Sequence, residues 1–124
     1  MRYWAVLGIH MQGKEFVTKS RDALALALKD PSAPVRIAAA RALAEFGPEA
    51  DAQAAFTVLL DAADWSKNDV FTAMSALDAL NAVGQKAAPY AARIKALPDK
   101  GPAPDPRYKE YIPRILEELR ERFP

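Results

Sequence analysis

Three glycines that close helix-length apolar stretches constrain the fold of this chain most. Gly13, Gly47 and Gly84 lie 34 and 37 residues apart, and the stretches before them read MRYWAVLGIHMQG, VRIAAARALAEFG and TAMSALDALNAVG. A glycine after the last turn ends a helix because it accepts a left-handed backbone conformation. Amphipathic stretches follow the glycines, over residues 16–29, 49–63 and 86–97. The sequence therefore predicts helix pairs that repeat every 34–37 residues.

The segments between these stretches also favour helices over strands. Ser32 precedes Pro34, and Asn68 precedes Asp69, so Ser32 and Asn68 are candidate helix caps. Alanine makes up 26 of the 124 residues and glycine only 5, a composition typical of packed helices. No stretch alternates between apolar and polar residues for long enough to predict a strand.

The last quarter of the chain differs from the repeats. Residues 98–107 hold four prolines and one glycine and predict a non-helical connector. A final helix is predicted over residues 111–123, with Pro113 in its first turn. We therefore predict one all-α domain over residues 1–124, folded as an α-α superhelix (solenoid) of about three and a half helix pairs.

One repeat carries a family resemblance. The segment LALKDPSAPVRIAAARALAEFG, which ends at Gly47, resembles a HEAT repeat: a first helix, an Asp-Pro turn, then Val-Arg-x-x-Ala-Ala-x-Ala-Leu-x-x-x-Gly. The resemblance implies that Asp30 and Arg36, six residues apart, form a repeat-ladder pair that bonds across the turn and along the stack. It is looser over residues 48–84, where Val70 stands six positions after Asp64.

A narrower resemblance covers most of the chain. The motifs RYWAVLGI, SALDALNAVGQKAAPY and YKEYIPRILEEL, with the proline-rich connector before the last, resemble in their order the C-terminal HEAT-like accessory region of bacterial sulfatases. This implies an accessory domain of a larger protein, in the periplasm or outside the cell. The sulfatase signature Cys or Ser, x, Pro, Ser, Arg does not occur in the sequence, so no catalytic residue is carried over.

The sequence contains few of the residue types that form catalytic or metal sites. The sequence has no cysteine and one histidine, which excludes disulfides, thiol nucleophiles and multi-histidine metal sites. His10 has no second histidine nearby and is predicted to be a surface or interface residue. The aspartates near the turn at 61–69 lack the central glycine and closing glutamate of a calcium loop and are predicted to be helix caps and solvated turn residues. We expect no catalytic, cofactor-binding or metal site.

The charges are balanced. Lys and Arg number 17, Asp and Glu 16, and the net charge is +1, whereas duplex-binding domains are strongly basic. No apolar run approaches the roughly 20 residues of a membrane span, and the N-terminus lacks the positive cluster and cleavage site of a signal peptide. We expect neither nucleic acid nor a membrane as partner, and the sequence assigns no compartment.

The first helix predicts an interaction edge. Its apolar residues spread around the helix, which is typical of a helix covered on more than one side; the edge comprises Tyr3, Trp4, Leu7 and Met11. If the helix is the second member of its pair, its partner lies before Met1, which stands where Val35 stands in the next repeat. The expected partner is a protein: a preceding domain of a parent chain, or a second copy of this chain. A further possibility is that the sequence is a designed chain or an excised piece of a longer protein.

One alternative function and one residue's role stay open at this stage. The chain could be a HEAT-like DNA-binding or DNA glycosylase-type domain, and its second helices and their turns offer cations for this role. These cations are Arg2, Arg36, Arg41 and Lys67, which stand against Asp69 and Asp78.

Trp65, in a turn, is either an exposed recognition residue or a cover for the alanine-rich core, and the second interpretation is favoured.

Overall fold

The computed structural model describes residues 2–103 and 106–123, which form helices and contain no strand. The prediction of an all-α chain is confirmed. Contacts divide the chain into two compact units, Met1–Leu59 and Leu60–Pro124. The helices are α1 (Arg2–Met11), α2 (Lys14–Lys19), α3 (Arg21–Ala27), α4 (Ala33–Phe46), α5 (Glu49–Ala62), α6 (Val70–Val83), α7 (Ala91–Lys95) and α8 (Tyr111–Arg122), with 3-10 helices at Gly84–Tyr90 and Pro106–Glu110.

The first unit is built around α4. Helices α1, α2 and α3 all pack on it. Most of its side chains are buried, and five of them are alanines, whose small size lets neighbouring helices approach closely. Its buried residues are Val35, Ile37, Ala38, Ala39, Ala40, Ala42, Leu43 and Ala44. Arg21 Nε donates to Asp51 Oδ2 at 2.9 Å and connects α3 to the first turns of α5.

The second unit is organised by α8, which packs on α6, α7 and the second 3-10 helix. Ile112, Leu116 and Leu119 form its apolar face and are fully buried. Two of its arginines donate to backbone carbonyl groups, one in the last turn of α6 and one just after α7. Arg122 Nη1 lies 2.6 Å from the Asn81 carbonyl oxygen, and Arg120 Nη2 lies 3.1 Å from that of Leu97.

The predicted helix over residues 16–29 is two helices that meet at Ser20. The N–H of Ser20 donates to the carbonyl oxygens of both Phe16 (3.0 Å) and Val17 (3.1 Å), and its φ of −101° and ψ of 14° leave the α-helical region. Serine is a weak helix former because its hydroxyl competes for backbone groups. The amphipathic pattern continues through this break, so it did not reveal the break.

The predicted helix over residues 86–97 is a 3-10 helix followed by the short α7. Pro89 lies inside the 3-10 helix, and α7 begins two residues after it, at Ala91. Proline has no N–H and its ring clashes with the carbonyl four residues earlier, so an α-helix accepts it only in the first turn. Of the predicted connector, residues 106 and 107 belong to the second 3-10 helix, and Pro104 and Asp105 lie outside the described residues.

Helix ends partly follow the predictions. Gly13 and Gly84 have positive φ values of 90° and 71°, whereas Gly47 has a φ of −79°. Gly47 is needed for space, because a Cβ there would lie 2.6 Å from the Leu43 carbonyl oxygen. The hydroxyl of Ser32 caps nothing; its N–H donates to Asp30 Oδ1 at 2.9 Å. Asp69, one residue after the expected Asn68, caps α6.

Candidate interaction surface

Helix α1 exposes large apolar side chains. Trp4 is 72% exposed and Met11 84% exposed, while Tyr3 is 38% exposed and Leu7 is half-buried. The Tyr3 and Trp4 rings contact each other edge-on with centroids 5.4 Å apart. Of the four residues of the predicted edge, the structure therefore places Trp4 and Met11 in solvent and Leu7 partly against the protein.

The opposite side of α1 holds the helix on α4. Val6 is buried, and His10 Nε2 lies 2.8 Å from Glu45 Oε2 on α4. The His10 ring also lies 5.7 Å from the Phe46 ring, centroid to centroid. His10 thus contacts α4 within the chain, and these contacts help to determine which face of α1 meets solvent.

An open apolar groove of about 280 Å³ lies between α1 and α3, over the start of α4. Its lining is apolar except for one carboxylate: Ala5, Val6, Ile9, Ala23, Leu24, Leu26, Ala27, Asp30 and Val35. Leu26 stands at this groove with 75% of its surface exposed. We call Leu26 and this groove the N-terminal apolar surface. Trp4 and Met11 do not line the groove, because they lie on the side of α1 opposite buried Val6.

The turn between α3 and α4 carries the predicted Asp30 and Arg36 pair. Arg36 Nη1 donates to the carbonyl oxygens of Asp30 (2.8 Å) and Pro31 (2.9 Å). The Asp30 carboxylate accepts the Ser32 N–H at 2.9 Å. The contact between the two predicted residues thus runs through the Asp30 backbone within one turn.

Trp65 is a core residue of the second unit. It is 1% exposed, and its Nε1 donates to the Pro102 carbonyl oxygen at 2.8 Å. Its burial agrees with the favoured interpretation, in which Trp65 covers the core. Two neighbouring aspartates accept hydrogen bonds from backbone N–H groups: Asp64 Oδ1 accepts the Ser66 N–H at 3.0 Å, and Asp69 Oδ1 accepts the Thr72 N–H at 2.9 Å.

An aromatic cluster in the second unit was not predicted. Phe71 lies 5.2 Å from Tyr108, and Tyr108 lies 5.9 Å from Tyr111, measured between ring centroids. Arg107 lies over the Tyr108 ring at 5.3 Å. Phe71 is 52% exposed. Because Phe71 stands 37 residues before Tyr108 in the chain, no local pattern indicates the cluster.

The pKa of one carboxylate is shifted by its role at a helix end. Hydrogen bonding by the Thr72 N–H holds the pKa of Asp69 below its ordinary value of 3.8, which is the effect of a helix cap. Among residues 2–103 and 106–123, no three His, Cys, Asp or Glu side chains are grouped so that they could hold a metal ion. Within the same ranges, no helix has the length and apolarity to cross a bilayer.

Comparisons with known proteins give no relatives for this chain. No protein family matches the sequence, and no curated protein and no solved structure matches it significantly. The geometry of the surface and the motifs in the sequence are therefore the basis for a functional proposal.

Proposed function

We propose that the chain is a non-catalytic helical interaction domain of HEAT-like solenoid type that binds a protein through its N-terminal apolar surface. One observation carries this proposal: Leu26 is 75% exposed at an open apolar groove that α1 and α3 border. An exposed leucine beside an open apolar groove is unfavourable in water unless a partner covers both, and apolar patches are typical of interaction sites.

The groove has the form that accepts an amphipathic helix. Helices α1 and α3 are its walls, and Val35 of α4 contributes to its lining. Recognition of this kind depends on apolar anchors spaced i, i+3 or i+4 and i+7 on the bound helix. Since Asp30 is the single charged residue of the lining, affinity would come from apolar burial rather than from ion pairs.

The type of domain is supported by the motifs. The Arg36 contacts at the Asp30 turn fit the HEAT-like resemblance, in which these two positions stabilise the turn between paired helices. The order of the RYWAVLGI, SALDALNAVG and YKEYIPRILEEL motifs supports an accessory role beside an enzyme such as a sulfatase. In this role the chain contributes contacts, and the catalytic residues belong to another domain.

The experiment is a selection of displayed helical peptides on the full chain. Peptides of about four turns are long enough to present anchors along the groove. We expect selected peptides to carry apolar residues at i, i+3 or i+4 and i+7, and to lose binding to Leu26→Glu. Phe71→Glu is the matched control, because Phe71 is exposed in the second unit. Peptides that bind both variants equally, or no enriched peptide at all, would contradict the proposal.

A further inference from the structure

One face of α1 combines exposed apolar residues with a glycine. Successive residues of an α-helix are about 100° apart, so Trp4, Gly8 and Met11 lie within about 60° of one another around the helix axis. Trp4 is 72% exposed and Met11 84% exposed. We call these three residues the α1 outer face. Gly8 stands between the two large side chains, in the middle of the helix.

Gly8 has no structural reason within the chain itself. Its φ is not positive, and a Cβ built there meets no atom within 4 Å, so the fold would accept a side chain. Glycine also lowers helix stability relative to alanine. A glycine between exposed apolar residues does, however, let a second backbone approach closely. Its position therefore points to a close contact from outside this chain.

The charge pattern of this face favours a second copy of the chain as the partner. Between Tyr3 and Gly13 the sequence has no Asp, Glu, Lys or Arg. In a two-fold contact each residue meets its own copy or a symmetry-related neighbour, so a face whose charges share one sign repels itself and an uncharged face does not. The α1 outer face satisfies this requirement for self-association.

We propose that the α1 outer face binds the same face of a second copy, with the two α1 helices antiparallel and closest at Gly8. The centre of this arrangement lies between Leu7 and Gly8, equally far from Trp4 and Met11 along the helix. Trp4 of each copy then packs against Met11 of the other, and thioether–aromatic contacts of this kind are favourable. This contact lies on the side of α1 away from the groove, so it adds a second contact to the proposed interaction function and names the partner for it.

The contact is small. Helix α1 has ten residues and is about 15 Å long, so the helix pair buries less surface than a permanent dimer interface. We therefore expect a reversible dimer whose population rises with protein concentration.

Sedimentation equilibrium of the full chain is the first test. The wild type should show a monomer–dimer equilibrium, and Trp4→Glu or Met11→Glu should weaken dimerisation at least about 10-fold, since each places a charge at the contact. Phe71→Glu, which changes an exposed residue of the second unit, should dimerise like the wild type. A wild type that stays monomeric at the highest concentrations, or a dimer insensitive to Trp4→Glu, overturns the proposal.

Gly8→Leu separates the contact from folding. In the monomer a Cβ at this position meets no atom within 4 Å, and leucine is the better helix former, so the Tm at low concentration should stay the same or rise. The same side chain keeps the two backbones apart, so dimerisation should weaken about 10-fold or more. Dimerisation of Gly8→Leu at the wild-type level overturns the close contact at Gly8.

Cross-linking tests the antiparallel register, and the chain contains no cysteine to interfere. A mixture of Trp4→Cys with Met11→Cys should form a mixed disulfide dimer faster than either variant alone, because these positions meet across the two copies and the other Trp4–Met11 contact is kept. Mixing Trp4→Cys with Phe71→Cys is the control. Faster cross-linking of Trp4→Cys with itself would indicate parallel helices and contradict the proposal.

The two proposals fail separately. If displayed helices bind in a Leu26-dependent manner while the chain stays monomeric, self-association is wrong and the interaction function stands. If the chain dimerises through α1 but no peptide depends on Leu26, the groove is wrong as the binding site and the second copy remains as partner.

Discussion

Gly101 lies against the indole of Trp65 so closely that no side chain fits between them. A Cβ at Gly101 would come within 2.6 Å of the ring atom Cγ and of the Trp65 carbonyl oxygen. We predict that Gly101→Ala destabilises the protein by about 1–3 kcal/mol, because either the ring or the connector must move. Urea unfolding followed by circular dichroism measures this effect.

Gly8→Ala is the control for this prediction. Its Cβ enters open space in a helix, so it should leave stability unchanged or raise it by up to about 1 kcal/mol. Equal unfolding midpoints for Gly101→Ala and the wild type would show that the connector adapts without cost.

The cap of α6 gives a pH-dependent prediction. The Thr72 N–H lowers the pKa of Asp69 below 3.8, so the charged carboxylate stabilises the fold. This stabilisation is complete above the unfolded pKa and is lost as the pH falls through the folded pKa. Asp69→Ala should cost about 1 kcal/mol near neutral pH, and the difference from wild type should narrow below about pH 4. Urea unfolding at both pH values checks this; a constant difference would contradict it.

At the scale of elements, Arg36 is one of the side chains that hold the turn between α3 and α4. Arg36 donates to two carbonyl oxygens of the turn, those of Asp30 and Pro31. We predict that Arg36→Met destabilises the protein by about 0.5–1.5 kcal/mol, the net value of such hydrogen bonds in a partly exposed site. Arg41→Met, at an exposed position of the same helix, should change stability by less. Thermal unfolding of both variants tests the difference, and equal Tm values would show that the turn holds without Arg36.

The sequence predicted the long helices better than the short ones. The ends of α4, α5 and α6 lie within one or two residues of the predicted ends, because caps, glycines and apolar spacing agree there. The break at Ser20 escaped prediction because the apolar period continues across it. The break at Pro89 has a local cause that the sequence displays, since proline has no N–H to donate, whereas the amphipathic pattern runs on through it.

The candidate surface was predicted only in part. Trp4 and Met11 were identified from the apolar spread of α1, whereas the groove needs α1 and α3, whose contributions come from distant segments and from the angle at which both pack on α4. Leu26 was missed although the helical period offers a signal for it: Leu26 lies about 200° from buried Leu24 around the helix axis, on the other side of α3.

At the scale of the whole molecule, the near-zero charge leads to a prediction about DNA. The net charge is +1, and α6 has no Lys or Arg. We expect no binding of duplex DNA at about 50 mM salt with protein up to about 10 μM, because non-specific binding requires several cations at the phosphates. Fluorescence anisotropy of a labelled duplex measures this, and a salt-dependent Kd below that concentration would favour the DNA-binding alternative.

The two tryptophans lie in different units and in opposite environments, Trp4 72% exposed and Trp65 1% exposed. Collisional quenchers in water will therefore reach the indole of the first unit and spare that of the second. In a dimer formed through α1 the first indole becomes shielded as well. Intrinsic fluorescence thus supplies one built-in optical probe for each unit, and association at α1 and opening of the second unit can be followed in the same cuvette without a label.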